Sequence, residues 1–314
     1  MSAEAPAAAT VPYVDILREY HRVQRLSTAE RVAWKDAVLI DAPEQVAQLF
    51  ARSIEQLDAA VGKSLTNISL NTRETRNGPK PPPTPTKARN SRKAAAKVGP
   101  KSDAEKAHDI LYAIYEAGGI TVSGRPALAA DYAGYKISPL RAKDATVFDP
   151  SGGDDVPAGD PSAQFSVDVL LQSRDEDALP VIGVLQYGED ADPILALLGG
   201  LSYVALLSTA GQWARLRKQT TATDEDGESP RFDERDVPLF DIYLILAGHR
   251  RNAASKRAAL WEAMPAVIDA LLDEPAIAQH VRRIEGIKIP LGTDARVQLA
   301  GSAVLGKPVD WDND

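Results

Sequence analysis

Two polar positions stand out because each interrupts an apolar, strand-like segment. Asp168 lies inside 165–172 (FSVDVLLQ), and Gln186 lies late in 181–187 (VIGVLQY). A carboxylate in an apolar setting is costly unless it is paired or hydrogen-bonded. Asp168 is therefore expected either to be satisfied by backbone or basic neighbours at a strand end, or to face an open mouth as a ligand. Further acids sit nearby in sequence: Glu189, Asp190 and Asp192 follow the second segment, and Glu116 ends an earlier helical stretch. Clustered carboxylates are what metal-assisted hydrolysis of a phosphodiester requires, since they hold Mg²⁺ beside the attacking water. Acids just ahead of a helix are equally favoured by the helix dipole alone.

Other chemistries are excluded by residue type and spacing. The chain has no cysteine, which removes disulfides, zinc knuckles and thiol nucleophiles. It has no G-x-S-x-G elbow, Walker A loop, G-x-G-x-x-G turn or H-E-x-x-H helix. The four histidines, His21, His108, His249 and His280, are isolated; His249 stands with Arg250 and Arg251 in what reads as an exposed basic turn. Gly152-Gly153-Asp154-Asp155 lacks the spacing of a metal loop and reads as a turn.

The elements that must position these residues follow from periodicity. In 14–26, Val14, Ile16, Leu17, Tyr20, Val23 and Leu26 fall near one helical face. In the segment begun by Pro43, Val46, Leu49, Phe50, Ile54 and Leu57 do the same. Residues 1–69 are thus an N-terminal helical module. Residues 70–102 lose all periodicity and are rich in Pro, Lys and Arg, a flexible basic linker. Between Arg73 and Lys101 nine Lys/Arg face one acid, a surplus of eight that leaves the rest of the chain at −16 for a total of −8. From residue 103 the pattern becomes α/β. A helix capped at Ser102 or Asp103 ends at Gly118-Gly119, and strands are expected at 120–123, 145–148, 165–172, 181–187 and 238–248. The uncharged run beginning at Pro193 reads as one helix over 193–218, capped by Asp192, with proline at its first position. Two helices, the second over 275–285, and a short strand at 286–292 complete the expected order.

The 22 residues 193–214 carry no charge and are long enough to span a bilayer. Gly199, Gly200, Gly211, Gln212 and several Ser/Thr dilute them, so the run is expected to be a helix buried against a sheet. Hydrophobic content of 44% and charged content of 25% place the chain among globular proteins without a membrane partner. The first fifteen residues lack the basic and apolar regions of a secretory signal, which makes the cytoplasm the expected location.

The order of helix, three strands, helix and strand over about 103–292, with Asp168 on one strand and Gln186 on the next, resembles the PD-(D/E)XK nuclease superfamily. The resemblance implies an α-β-β-β-α-β core, a central mixed sheet flanked by helices, in an α/β domain spanning 103–314. It also implies that Asp168 is the strand carboxylate of the metal site. Where an active member has E-x-K, this chain has Val184-Leu185-Gln186. Val184 cannot bind metal, and Gln186 can orient water but brings no charge. Retained activity would need Mg²⁺ held by Asp168 with a migrated acid, from Glu116, Glu189, Asp190 or Asp192, and Gln186 beside the water. The expected function is an inactive nuclease-like domain, without cofactor, that binds protein partners in a bacterial cytoplasmic assembly. Lys80, Lys87, Arg89, Arg92, Lys93, Lys97 and Lys101 are the candidates for non-specific contact with nucleic acid. The alternatives are a divergent Mg²⁺-dependent nuclease and an unrelated α/β module binding a ligand or a protein.

Overall fold

The computed structural model describes residues 14–64, 102–122, 124–137, 167–188, 191–220, 232, 237–247, 258–289 and 300–301. Three helices come first: α1 (Asp15–Gln24), α2 (Thr28–Trp34) and α3 (Pro43–Ser64), with a π-helical turn over Lys35–Ile40 between the last two. Ser27 starts α2 through a reciprocal box: its hydroxyl accepts from the Glu30 amide, and the Glu30 carboxylate accepts from the Ser27 amide. The apolar stripes read from sequence are the buried faces, with Ile16, Leu17 and Val23 on α1 and Val46, Phe50 and Leu57 on α3.

Helix α4 (Asp103–Glu116) opens with the same kind of box, made by Ser102 and Glu105. Gly118 and Gly119 end it at φ +70° and +140°; a Cβ on Gly119 would lie 2.1 Å from the Ala130 carbonyl oxygen, so only glycine fits. There follow β1 (Gly119–Val122), a 3₁₀ turn (Pro126–Leu128), β2 (Ala130–Ile137), β3 (Val167–Ser173) and β4 (Pro180–Tyr187). Next come α5 (Pro193–Leu207), α6 (Ala210–Thr220), β5 (Phe240–Ala247), α7 (Ala258–Leu272), the short α8 (Pro275–Ala278), β6 (Val281–Ile289) and the two-residue β7 (Ala300–Gly301).

The strands form one mixed sheet in the order β6-β5-β4-β3-β2-β1-β7. Strands β1 to β4 are an antiparallel meander, while β4, β5 and β6 run parallel. The sheet is curled. Arg125, just past β1, reaches Glu285 on β6 at 3.1 Å although four strands separate β1 from β6. Inside the curl, Val169, Leu171, Val181, Tyr243, Ile245 and Ile287 pack with Ile110, Leu111 and Ile114 of α4. The other face, with Leu170, Ile182, Val184, Ile242 and Leu244, is covered by α5, which has α1, α3 and α7 around it.

The mixed sheet flanked by helices agrees with the α/β expectation, and several details differ. Four strands precede α5 where the α-β-β-β-α-β pattern has three. Strand β2 was hidden because a register shift between Tyr132 and Gly134 breaks its alternation. The helix expected over 275–285 stops at Ala278, and 281–289 form β6 instead, drawn into the sheet by parallel pairing with β5. The single helix expected over 193–218 is broken at Ser208 and Thr209. The Ser208 hydroxyl turns back to the Val204 carbonyl, and Thr209 Oγ1 accepts from the Gln212 amide to start α6. Among the described residues no helix is long and apolar enough to cross a membrane. The strand expected at 145–148 lies outside the described residues.

Every residue of α5 except Leu195 is buried. Its two glycines have different surroundings. A Cβ on Gly200 would stand 2.7 Å from Ile242 Cγ2, whereas one on Gly199 would meet the Tyr20 ring at 3.7 Å, an ordinary contact. Gly199→Ala should therefore stabilise the protein by up to about 1 kcal/mol through helix propensity. Gly200→Leu should destabilise it by about 1–3 kcal/mol by overpacking. Chemical denaturation of the two variants beside the parent checks both signs.

Candidate functional site

Strand β4 is where the sheet changes direction, antiparallel to β3 and parallel to β5. In open α/β sheets ligands bind beyond the carboxyl ends of the parallel strands. At this end the sheet is split. β2 and β3 stay paired out to Ile137 and Val167, and β4 and β5 out to Tyr187 and Ala247, but the β3–β4 register ends at Val169 and Gly183. Asp168 lies one step beyond that last pair, beside Val184, and its Oδ2 accepts from the Leu185 amide at 2.8 Å. The side chain thus takes over from the backbone ladder and ends it. Gln186, half-buried, lies two residues further along β4 on the same face as Val184. Asp168 and Gln186 thus lie toward the same end of two adjoining strands.

Two tyrosines complete the surroundings of Asp168. Tyr203 of α5 and Tyr20 of α1 are both held above the ordinary phenol range, by burial first and then by the Asp168 carboxylate. Both phenols are accordingly neutral at physiological pH. Tyr20 also lies over Gly199, with Val184 against the same glycine at 3.9 Å from its would-be Cβ. Sequence reasoning placed Tyr20 in an apolar stripe and Tyr203 in an uncharged helix. The available signal was that a buried tyrosine keeps a hydroxyl that must be satisfied.

Asp192 lies at the same end and is the N-cap of α5, its Oδ1 accepting from the amides of Ile194 and Leu195 at 3.0 and 3.2 Å. Its other oxygen pairs with Arg31 of α2, both side chains buried at 9% and 3% exposure. Arg31 also donates to the Leu26 carbonyl from Nε and Nη2, so the guanidinium is spread over a carboxylate and a peptide oxygen. The amino end of α5 would suit an anion, and that position is filled by the protein's own carboxylate.

The remaining sequence candidates are not brought to this point. Glu116 is exposed at the end of α4, on the opposite face of the sheet, and hydrogen-bonds Tyr112. Glu189, Asp190, His249 and the basic residues Lys80, Lys87, Arg89, Arg92, Lys93, Lys97 and Lys101 lie outside the described residues. Among the described residues no three His, Asp or Glu side chains are grouped so as to hold a metal ion. Comparison with protein-family models, curated proteins and solved structures found no match to the chain.

Beside this cluster, His21 is buried edge-to-face against Tyr20, with ring centroids 5.3 Å apart. Burial, then the Arg25 charge, pull its pKa from 6.5 down to about 4. His280, whose Nδ1 lies 3.2 Å from the Pro238 carbonyl, is also lowered, chiefly by burial.

Two outcomes follow for this region. Asp168→Ala should cost about 1 kcal/mol because the half-buried Leu185 amide loses its acceptor. Asp168→Asn keeps an acceptor oxygen and should cost less, as urea denaturation of the pair would show. For His21, the unfolded chain takes up protons below pH 6.5 while the folded one resists until about 4. Stability should therefore fall as pH falls through that window. His21→Gln should flatten part of that slope in the same measurement.

Proposed function

We propose that this chain is a binding or assembly module built on a nuclease-like α/β framework, not a working hydrolase. The observation that carries this reading is the setting of Val184. In the resemblance it occupies the place of the metal-binding glutamate, and it is 5% exposed, wedged beneath Gly199 and Gly200 of α5. A carboxylate has neither room nor water there. Its neighbour Asp168 is bound to a backbone amide and two tyrosines adjoin it, which supports a structural use of a residue that hydrolysis would need open to metal and water.

On this reading the partner is a protein of a bacterial cytoplasmic assembly. The surplus of positive charge over residues 73–101 adds a sequence-independent affinity for phosphate backbones. The acidic remainder of the chain works against any wider nucleic-acid surface.

The test has two parts. Incubation with plasmid DNA or single-stranded RNA in Mg²⁺ or Mn²⁺ should give no cleavage; robust cleavage that is lost in Asp168→Asn would establish the divergent nuclease instead. Fluorescence anisotropy with duplex DNA should show binding that weakens steeply from about 50 to 200 mM salt. Deletion of residues 73–101 should remove that binding. Binding that survives the deletion would assign it to the folded α/β part and sink the proposed role of the basic segment.

A further inference from the structure

At the amino ends of β5 and β6, far along the strands from Asp168, lies a second polar cluster that the proposed function does not use. It begins with a fault in pairing. Val281 pairs with Phe240 and Arg283 with Asp241, which leaves Arg282 as an extra residue in β6. In a regular strand consecutive side chains point to opposite faces; a bulge of this kind re-aims one of them. Arg282 and Arg283 consequently reach the same carboxylates.

Asp241, with a fully buried side chain, receives Arg282 in bidentate fashion, Nε to Oδ1 at 2.9 Å and Nη2 to Oδ2 at 2.6 Å, and has Arg283 Nε at 3.2 Å. Both arginines then extend to the turn between β3 and β4. Arg282 donates to Asp177 at 2.7 Å, and both guanidinium groups meet Asp175 Oδ2, at 2.6 and 2.8 Å. Arg283 also donates to the Ala127 carbonyl in the β1–β2 connection at 3.0 Å, where Arg125 pairs with Glu285 of β6.

The turn thus gripped is strained. Ala178 has φ +47°, a left-handed conformation that costs a residue with a Cβ roughly 1–2 kcal/mol. Such strain persists only where surrounding contacts impose it. Asp177 remains 43% exposed and Arg282 20%, so the cluster lies at the rim of the curled sheet, within reach of water.

We propose that Arg282 and Arg283 form a clasp that fastens the terminal strand β6 to the β3–β4 turn and the β1–β2 connection, and that the clasp opens as a local unit while the rest of the sheet stays folded. Its role is to hold the curl closed over the α4 side of the core. The bulge has a definite use in this scheme: without the extra residue the strand could present only one of the two guanidinium groups to Asp241 and the turn.

Hydrogen–deuterium exchange of the full chain, read by mass spectrometry, tests the clasp. Arg282→Gln should speed exchange about tenfold in 174–179 and 281–285, while α5 and residues 242–247 change by less than about twofold. If Arg282→Gln does not fold, the double variant Asp241→Asn/Arg282→Gln removes the buried carboxylate together with its partner and takes the same measurement. Uniform acceleration along the chain, or none in the two segments, overturns the proposal. Failure of both variants to fold overturns it too, since a local fastening is not required for the fold.

Discussion

A helix with no polar face has to be enclosed on every side, and α5 is such a helix. Its amino-acid types leave it nothing to offer water, so one flank takes the sheet and the other needs a second cover. That cover is α1 and α3, joined by α7, whose apolar stripes face it. The layering of the described residues follows from this single requirement: sheet, then α5, then the N-terminal helices, with α4 inside the curl. The glycines at 199 and 200 set the distances, one admitting the Tyr20 ring and the other the methyl groups of Ile242.

Apolar burial is non-directional, and it does not by itself fix how α1 to α3 are turned on α5. The Arg31–Asp192 pair supplies direction. A buried ion pair is weak evidence of net stabilisation, but either partner left alone would be an uncompensated charge in the core, at a cost of about 3–5 kcal/mol. Any rotation of α2 that separated the two groups would meet that penalty. Asp192 cannot shift to follow, because its other oxygen holds the first turn of α5.

Much of this was legible in the chain itself, for physical reasons that differ by element. The caps at Ser102 and Asp192, the stripes of α1 and α3 and the strands at 167–173, 180–187 and 240–247 were readable because local signals and tertiary demand agree there. The end of β6 falls in the strand expected at 286–292, but its first part, 281–285, was missed because Val-Arg-Arg-Ile-Glu following Pro-Ala-Ile-Ala has helical spacing; parallel pairing with β5 and the bulge at Arg282 override it. The break after Leu207 was missed because serine and threonine in an apolar run read as tolerated polar residues, whereas their hydroxyls here close one helix and start another. At the candidate site, the pairing of the two strands that carry Asp168 and Gln186 was foreseeable from strand order. Tyr20 and Arg31 were not, since nothing in the sequence links α1 and α2 to the end of β4.

Arg31 and Asp192 stand 161 positions apart. During synthesis at about 5–20 residues per second, α1 to α3 must wait roughly ten to thirty seconds on the ribosome before the helix they cover exists. Ile16, Leu17, Val46 and Phe50, all buried in the folded protein, are made before that cover exists. Helices α1 to α3 are thus made well before the helix that covers them.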